Sequence, residues 1–493
     1  MSIIKKVCVL SIILPLIIAG CATNPVTHKR EIMLFSDQDE IAMGKQGHDA
    51  VLVQFGKYDD PSLQNYIEEV GQKIAQVSHR EDLPHHYMVA DSPVLNAFAL
   101  PGGYIYINRG LLAYLNNEAQ LASILGHEAG HVAARHGVKR YQKAIGAQLL
   151  LVGVAVGTQS QGLALGTNIL LNTILQGYSR KDERQADELG SLYMYRAGYN
   201  PLEMPEFFAI LEEMEKRSPN LIEQLFASHP PTPERVEKTT AHAHELTEGE
   251  TAGLAIARNR YIANLEGLIF GPGARDGVIE DGLYRNRYFR YQVRMPEGWK
   301  VLRGDTPGSV NAQDPSQRYL SQVLPLEGEE EITPAELAAT VEKNSGIKPY
   351  DASEITLDGN KAYRADYRAR SQDGTLLGLR IAYWTRGKTG FIIANITRWQ
   401  DFAGARGTFN RIISTFRSLS PRQAARIPLH RLQVYEVKRG DTFAVISKRF
   451  YRTTKYADDI KRFNGMNKLS NPPAGMLIKI KPLLPEASGE NEE

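Results

Sequence analysis

Two histidines and a glutamate in one short segment have the types and spacing of a metal-dependent hydrolytic site. The segment reads Gly126-His-Glu-Ala-Gly-His131. Residues four apart lie on one face of a helix, so His127 and His131 can both direct an imidazole nitrogen at one ion. Glu128 lies beside the open coordination position, where it can take a proton from a water molecule that the ion activates. Apolar neighbours on both sides predict that the histidines are buried and therefore need partners.

A third ligand decides which class of metallopeptidase this segment fits. A metzincin has glycine three residues and histidine six residues after its second ligand, but this chain has Ala134 and Gly137 there, with His136 out of register. Further along the chain, Glu183 and Asp187 are four apart and share a helix face. Glu183 is predicted to complete the site, and Asp187 to accept the outer N–H of a ligating histidine and fix its tautomer. This ligand set favours one Zn²⁺ per chain.

The helices that must hold these residues belong to a first domain, predicted over residues 21–268. Its pattern is mostly helical, with amphipathic stretches at 62–77 and 118–137, and residues 103–108 alternate like a strand. The apolar pieces 149–156 and 163–175, between the two ligand helices, are each too short to span a bilayer. They are predicted to form either an amphipathic lid over the cleft or buried core helices.

The rest of the chain predicts two further domains, which makes the fold class multi-domain α+β. Residues 283–420 contain several strand-like stretches, a helix that opens at Thr333-Pro334 and another near 403–418. A glycine-rich tract at 270–282 is predicted to be the linker before this α+β domain, to which no chemistry is assigned. A small strand–helix–helix–strand unit is predicted at 432–483, and the acidic tail at 484–493 is predicted to be disordered.

Four sequence blocks carry a specific family resemblance. They are Asn96-Ala-Phe-Ala-Leu-Pro-Gly-Gly103, the His127–His131 motif, Glu183-x-x-Ala-Asp187 and Ser228-His-Pro-Pro-Thr-x-x-Arg235. Together they resemble the gluzincin peptidases of the HtpX and CAAX-prenyl-protease type, and within them the periplasmic BepA-like branch. The sequence predicts no counterpart of the helical-repeat domain that the periplasmic relative carries.

The resemblance implies roles for the first and last blocks. Asn96, Ala97 and Phe98 would border the substrate cleft, beside a strand that can pair with an extended substrate backbone. His229 would act at the site, either as a fourth, inhibitory ligand in a closed state or as a donor to the tetrahedral oxyanion. The alternative is that His229 only caps a helix before Pro230.

The C-terminal unit resembles a LysM domain. The similarity lies in Gly440-Asp-Thr-Phe443, Phe463-Asn-Gly465 and the strand 475–480. LysM domains bind N-acetylglucosamine chains, which implies a glycan site at Asp441, Thr442 and Phe443. The alternative is that Asp441 serves the fold by capping a helix. In the middle domain, Met295-Pro-Glu-Gly-Trp299 is faintly similar to PsbP-like modules.

The first residues are predicted to be a targeting segment. Lys5 and Lys6 precede an apolar run over residues 7–18, which has the length of a signal-peptide core. The run ends in Ile18-Ala-Gly-Cys21, which resembles the bacterial lipobox. That resemblance implies cleavage after residue 20 and lipidation of Cys21, and Ala22 then points to the outer membrane of a Gram-negative bacterium, facing the periplasm. Several acyl chains give stable anchoring.

Composition excludes several other classes of protein. The chain has 493 residues, 42% of them hydrophobic and 23% charged, which excludes a disordered chain and a multi-spanning membrane protein. It has 58 Lys and Arg against 56 Asp and Glu, and two of those lysines lie in the predicted signal segment. Such a balance does not attract a polyanion, so nucleic acid is not an expected partner. The two cysteines, Cys8 and Cys21, exclude a disulfide framework.

These observations predict a zinc endopeptidase of the envelope. Extended or misfolded envelope proteins are the expected substrates, because only an unfolded strand can lie along such a cleft, and the resemblance adds quality control of outer-membrane proteins. One alternative is a lipoprotein that binds peptidoglycan or assists assembly, with a latent metal site. A peptidoglycan hydrolase or amidase is a weaker alternative, because the ligand spacing is that of a protein peptidase.

Overall fold

The computed structural model describes residues 21–152, 176–230, 233–304, 306–371 and 373–484. The predicted signal segment, most of the apolar pieces between the ligand helices and the acidic tail lie outside these ranges. The chain divides into two compact units. The first unit comprises residues 1–270 and 431–482, and the second comprises residues 271–430 and 483–493. Within the described residues, no helix is both long enough and apolar enough to cross a membrane.

The first unit is mostly helical. Its helices are α1 (Asp37–Gln54), α2 (Pro61–Ala75), α3 (Arg109–Tyr114), α4 (Glu118–Ala133), α5 (His136–Val152), α6 (Arg180–Arg196), α7 (Glu203–Arg217), α8 (Pro219–Ser228), α9 (Pro233–Thr247) and α10 (Arg258–Ala263). Its N-terminal part also contains strands β1 (Cys21–Thr23), β2 (Arg30–Ile32), β3 (His86–Ala90), β4 (Ala97–Leu100) and β5 (Tyr104–Asn108).

A three-stranded sheet lies next to the histidine helix. Its order is β3-β5-β4, with β3 parallel and β4 antiparallel to β5, so β4 is an edge strand. The single strand predicted at 103–108 is β5, whereas β3 and β4 were not predicted. Both are almost entirely buried, so they lack the alternation of apolar and polar residues that reveals a half-exposed strand.

Buried charges hold the histidine helix α4 at both ends. At its first residue, Glu118 accepts hydrogen bonds from the hydroxyls of Tyr66 (2.9 Å) and Tyr199 (2.7 Å). At its other end the predicted helix 118–137 is interrupted, because Arg135 has a left-handed backbone conformation with φ of +59°. The guanidinium of Arg135 pairs with the buried Glu40 of α1, which explains why a residue other than glycine occupies this turn.

The C-terminal strand–helix–helix–strand segment is part of the first unit. Its elements are β17 (Gln433–Glu436), α14 (Phe443–Tyr451), α15 (Ala457–Phe463) and β18 (Leu477–Ile480), in the predicted order. Lys479 of β18 is fully buried, and its ammonium donates to the carbonyl oxygens of Ala113 (2.8 Å) and Leu115 (2.6 Å) and lies 4.5 Å from the centre of the Phe463 ring. The two carbonyls immediately precede α4, so this segment supports the start of the histidine helix.

The second unit is an α+β fold built on antiparallel sheets. A seven-stranded sheet has the order β12-β13-β14-β15-β11-β10-β9, and a four-stranded sheet has the order β16-β8-β7-β6. Its strands are β6 (Val278–Glu280), β7 (Leu283–Asn286), β8 (Tyr291–Arg294), β9 (Lys300–Arg303), β10 (Val310–Gln313), β11 (Leu320–Glu327), β12 (Pro349–Leu357), β13 (Asn360–Arg370), β14 (Leu376–Arg386), β15 (Thr389–Arg398) and β16 (Arg417–Ser418). Its helices are α11 (Pro334–Ser345), α12 (Trp399–Ser414) and α13 (Pro421–Ala425).

Two sequence-based boundaries in the second unit differ from the structure. The predicted linker 270–282 contains β6, which pairs with β7 and so belongs to the fold. The helix expected at 403–418 is α12, which begins directly after β15 and ends at Ser414. The helix that opens at Thr333-Pro334 is found, with the Thr333 hydroxyl accepting from the Glu336 N–H in a capping box.

Replacing Lys479 by methionine should destabilise the first unit. The change keeps the length of the side chain but leaves the carbonyls of Ala113 and Leu115 without their donor, at a cost of about 1–3 kcal/mol for each. Urea unfolding monitored by circular dichroism measures the effect. Lys468→Met is the matched control, because that side chain is 90% exposed. Equal stability of the two variants would contradict this role of Lys479.

Candidate metal centre

Glycine residues allow the two helices that carry the predicted ligands to come very close. A Cβ atom built on Gly126 of α4 would lie 3.1 Å from the carbonyl oxygen of Gly190 of α6, and one on Gly130 would lie 3.1 Å from the carbonyl oxygen of Ala186. A Cβ atom on Gly190 would lie 2.9 Å from the backbone nitrogen of His127. Larger side chains at these positions would push α4 and α6 apart and separate the predicted ligands.

One group of potential metal ligands converges between these helices among the described residues. It consists of His127, His131, Glu183 and His229, and one atom of each lies within 4.8 Å of the others. The Nε2 atoms of His127 and His131 are 3.0 Å apart, and they lie 3.6 Å and 3.4 Å from the carboxylate oxygens of Glu183. All four side chains are buried.

The spacing of these atoms fits zinc. Nitrogen and oxygen ligands bound to zinc at about 2.0–2.1 Å in a tetrahedral arrangement lie roughly 3.3 Å apart. The nitrogen of His229 nearest the group, Nδ1, lies 3.1 Å from Glu183 Oε1 and 3.3 Å from His127 Nε2. The donor atoms present therefore suit a small divalent cation.

Hydrogen bonds on the far side of the rings point the imidazole lone pairs inward. His127 Nδ1 lies 2.9 Å from Asp187 Oδ1, and an ionised carboxylate can only accept, so we assign the proton to Nδ1 and the lone pair to Nε2. His131 Nδ1 lies 2.9 Å from His136 Nδ1, whose own Nε2 lies 3.1 Å from Gln185 Oε1. This chain of contacts fixes the same tautomer for His131.

The protonation states of the site suit a cation. Burial lowers the pKa of His131 well below its usual range, which keeps the ring neutral and able to ligate. Burial alone would raise the pKa of Glu183, but the imidazoles of His229, His131 and His127 outweigh it and hold that pKa well below its usual value. Glu183 is therefore an ionised ligand.

Arg235 fixes two acidic residues of α6, Glu183 and Asp187. Its guanidinium donates to the two carboxylate oxygens of Asp187 at 2.8 and 2.7 Å and lies 3.2 Å from Glu183 Oε2. Burial would raise the pKa of Asp187, but Arg235 and His127 together lower it. The carboxylate that orients His127 thus keeps its charge.

His229 and Glu128 face each other beside the predicted ligands. His229 Nε2 lies 3.5 Å from Glu128 Oε1 and 3.4 Å from the carbonyl oxygen of Ala97. Burial lowers the pKa of His229, yet the carboxylates of Glu183 and Glu128 outweigh it and raise that pKa to about 9. Burial raises the pKa of Glu128, and its Oε2 atom has no hydrogen-bond partner among the described residues.

The three predicted cleft residues have different environments. Ala97 lines a cavity together with His127, Glu128 and His229. The Asn96 side chain accepts a hydrogen bond from the Ser228 hydroxyl at 3.0 Å and so ties β4 to the end of α8. Phe98 is buried against Tyr106, because successive residues of a strand point to opposite faces. Its side chain belongs to the core, contrary to its predicted place in the cleft.

The predicted glycan-binding residues have structural roles instead. Asp441 is buried and accepts hydrogen bonds from the Tyr435 hydroxyl and the Lys438 backbone N–H. Thr442, rather than Asp441, caps α14, and Phe443 is 5% exposed in the core of the segment. These side chains do not offer a glycan-binding surface.

Cys21 begins β1, which pairs with β2.

Two residues of the site were assigned no role from the sequence. From the sequence, His136 was considered only as a metal ligand, and its spacing from His131 does not fit that role. In the structure the left-handed turn at Arg135 brings the ring of His136 against the ring of His131. Tyr178, whose ring stacks on His131 at 3.9 Å between centroids, precedes α6 without any distinguishing pattern. Arg235 was part of a family block, and its pairing with Asp187 could not be read from spacing alone.

Comparisons with known proteins agree with this geometry. The sequence profile of Peptidase family M48 matches residues 61–243. The chain is 29% identical over 279 residues to the beta-barrel assembly-enhancing protease of Escherichia coli, covering 55% of this chain and 56% of that protein. It is 28% identical over 221 residues to the mitochondrial metalloendopeptidase OMA1 of Schizosaccharomyces pombe, covering 43% of this chain and 64% of that one.

The chain thus spans about half the length of the beta-barrel assembly-enhancing proteases that it matches. Among solved structures, that of cyanobacterial PsbP from Synechocystis aligns with 30% of this chain and 98% of its own, at 19% identity and a TM-score of 0.23. A similarity that low leaves the likeness of the middle domain to PsbP a prediction.

Replacing Asp187 by asparagine should lower metal affinity by about 10–100-fold, the usual effect of losing an outer partner of a ligating histidine. Asparagine leaves the volume almost unchanged but removes the charge that orients His127 and pairs with Arg235. Competition with a chromophoric zinc chelator measures the affinity. The neighbouring exposed Glu188→Gln is the matched control, and a zinc affinity in Asp187→Asn equal to that of the control would contradict the role of Asp187.

Proposed function

We propose that the protein is a zinc-dependent endopeptidase that cleaves extended or misfolded envelope proteins, because residues 61–243 match the sequence profile of Peptidase family M48. The observation that carries this proposal is the convergence of two imidazole lone pairs and an ionised carboxylate beside Glu128, a buried carboxylate with an unpartnered oxygen. A latent site in a binding protein would not need that additional carboxylate.

The residues of the site have separate roles in the proposed reaction. His127, His131 and Glu183 would hold the ion, which when bound polarises the scissile carbonyl and activates water. Glu128 accepts the proton of the attacking water and returns it to the departing amine. Its raised pKa suits this exchange, because a general base works best when its pKa lies near the working pH.

The edge strand β4 supplies a way to hold an extended substrate. An unfolded polypeptide can add to a sheet edge through backbone hydrogen bonds, largely independently of its sequence. Ala97 of β4 lines the same cavity as His127 and Glu128, so a chain lying along this edge would pass the catalytic groups. A folded substrate could not adopt that arrangement.

His229 would close the site at rest in this proposal. Without an ion its raised pKa keeps the ring protonated between the carboxylates of Glu183 and Glu128, and with the ion bound the deprotonated ring would be a fourth ligand. It lies at hydrogen-bond distance from Glu183, and it lies 3.5 Å from Glu128. Glu183 is a proposed ligand of the ion, and Glu128 is the group that the attacking water must reach. Moving the end of α8, which carries His229 as its C-terminal cap, would expose them.

The lipobox-like segment supports a location at the periplasmic face of the outer membrane, with Cys21 as the anchored residue. The relative from Escherichia coli, named for enhancing β-barrel assembly, supports misassembled outer-membrane proteins as substrates. Asp441 and Phe443 are buried, so these residues do not support peptidoglycan as a second partner.

Replacing Glu128 by glutamine should lower kcat for casein by about 10²–10⁴-fold, the usual contribution of a general base, while the zinc content stays at one ion per chain. Inductively coupled plasma mass spectrometry and release of labelled casein fragments provide the two readouts. Unchanged cleavage would contradict the proposed role of Glu128. Full rescue of a deletion phenotype by this variant would favour the alternative of a binding or assembly protein.

Replacing His229 by alanine should raise the rate of casein cleavage, because it removes the ligand that closes the site and leaves His127, His131 and Glu183 in place. His244→Ala, at an exposed position of α9, is the matched control. A loss of activity in His229→Ala, with zinc retained, would contradict closure and assign His229 to oxyanion stabilisation instead.

A further inference from the structure

A cavity opens from the candidate metal centre, and Ala97 of β4 forms part of its lining. The space in it that the centre of a water molecule can occupy is about 60 Å³, and His127, Glu128 and His229 form one end. The other walls come largely from α7 and α8, with Leu111 of α3, Ile124 of α4 and Val236 of α9 beside them, and are mostly apolar. The apolar residues that α7 and α8 contribute are Met204, Phe207, Phe208, Leu211, Leu225 and Phe226.

The wall supplied by α7 is one continuous stripe of a helix. Its four residues have the spacing i, i+3, i+4 and i+7, which places them on one face. Phe208 and, on α8, Phe226 are only half-buried although both are large and apolar. Apolar surface beside the reacting groups is thus left available for a ligand.

The arginine that lines this cavity is already paired with carboxylates. The guanidinium of Arg235 is engaged by Asp187 and Glu183 and lies 4.5 Å from the centre of the Phe208 ring. The carboxylates among the lining residues are Glu128, beside the centre, and Glu212. An acidic side chain entering the cavity would lose its hydration and find no free positive partner.

We propose, as a refinement that rests on the proposed peptidase function, that the site selects substrates with a large apolar side chain next to the scissile bond, and that Leu211 and Phe226 determine this specificity. The cavity begins at the catalytic groups, so the side chain that enters it belongs to a residue adjoining the bond that is cut.

This selectivity has a consequence for substrate choice. Large apolar side chains are the ones that folded proteins bury, so an accessible one reports that a polypeptide is unfolded. The edge strand β4 would require an extended backbone, and the cavity would require an exposed apolar residue. Together they give two independent criteria that a correctly folded protein fails.

Mass spectrometry of the products of denatured casein, digested by the full mature chain, tests the proposal. We expect phenylalanine, leucine and methionine to be enriched at one position beside the cuts. In a fluorogenic peptide copied from the strongest site, replacing that residue by aspartate should lower kcat/KM at least about tenfold, in the range by which apolar pockets discriminate.

Filling the cavity tests the assigned residues. Leu211→Trp should lower kcat/KM for the peptide with phenylalanine while sparing the peptide with alanine, whereas Leu221→Trp, on an exposed position of α8 outside the cavity, should change neither. Phe226→Ala, at a half-exposed position, should weaken the preference for phenylalanine and serves if Leu211→Trp does not fold.

Casein cut without any enrichment, or both peptides slowed equally by Leu211→Trp, would overturn the inference and leave the peptidase standing. If neither the wild type nor His229→Ala cuts casein, the proposed function itself fails and the inference fails with it.

Discussion

The contact between α4 and α6 is the constraint on which the site depends. A Cβ atom on Gly190 would clash with the backbone of His127, and one on Gly126 or Gly130 would be tightly crowded where the helices cross. Each helix supplies two polar residues one turn apart, and only this close approach brings them together. Because the separation is set by backbone packing, the ligand atoms are held near the spacing that zinc requires without depending on flexible loops.

Several buried charges around the predicted ligands have an oppositely charged or hydrogen-bonding partner within the first unit, whereas Glu128 keeps one oxygen without a partner among the described residues. Arg235 offsets Asp187 and Glu183, while Glu118 and Glu40 hold the two ends of α4 through tyrosines and arginines. These contacts hold α4 at both ends, and hydrogen-bond partners orient the rings of His127 and His131. Rigid surroundings matter for catalysis, because groups that are fixed beforehand need no rearrangement during the reaction.

Helix geometry predicts which residues four apart share a face, and the structure brings the predicted ligands His127, His131 and Glu183 together. The same reasoning could not find contacts distant in the chain. Lys479 meets carbonyls more than 360 residues away, and nothing local distinguishes it from an exposed lysine. A family motif does not say whether a residue serves binding or folding. In this structure Phe98 packs in the core and Asp441 accepts a backbone hydrogen bond in a turn. The end of α4 also differs from the predicted stretch 118–137, because Arg135 adopts a left-handed backbone conformation that arginine rarely adopts.

The most direct test of this account is X-ray absorption spectroscopy of the protein loaded with one equivalent of zinc. We expect a four-coordinate ion bound by imidazole nitrogens and carboxylate oxygen. In His229→Ala the imidazole signal should be reduced and the remaining ligands should stay intact. Failure to retain one zinc per chain, or a signal without histidine ligands, would contradict the claim that α4 and α6 form a metal centre.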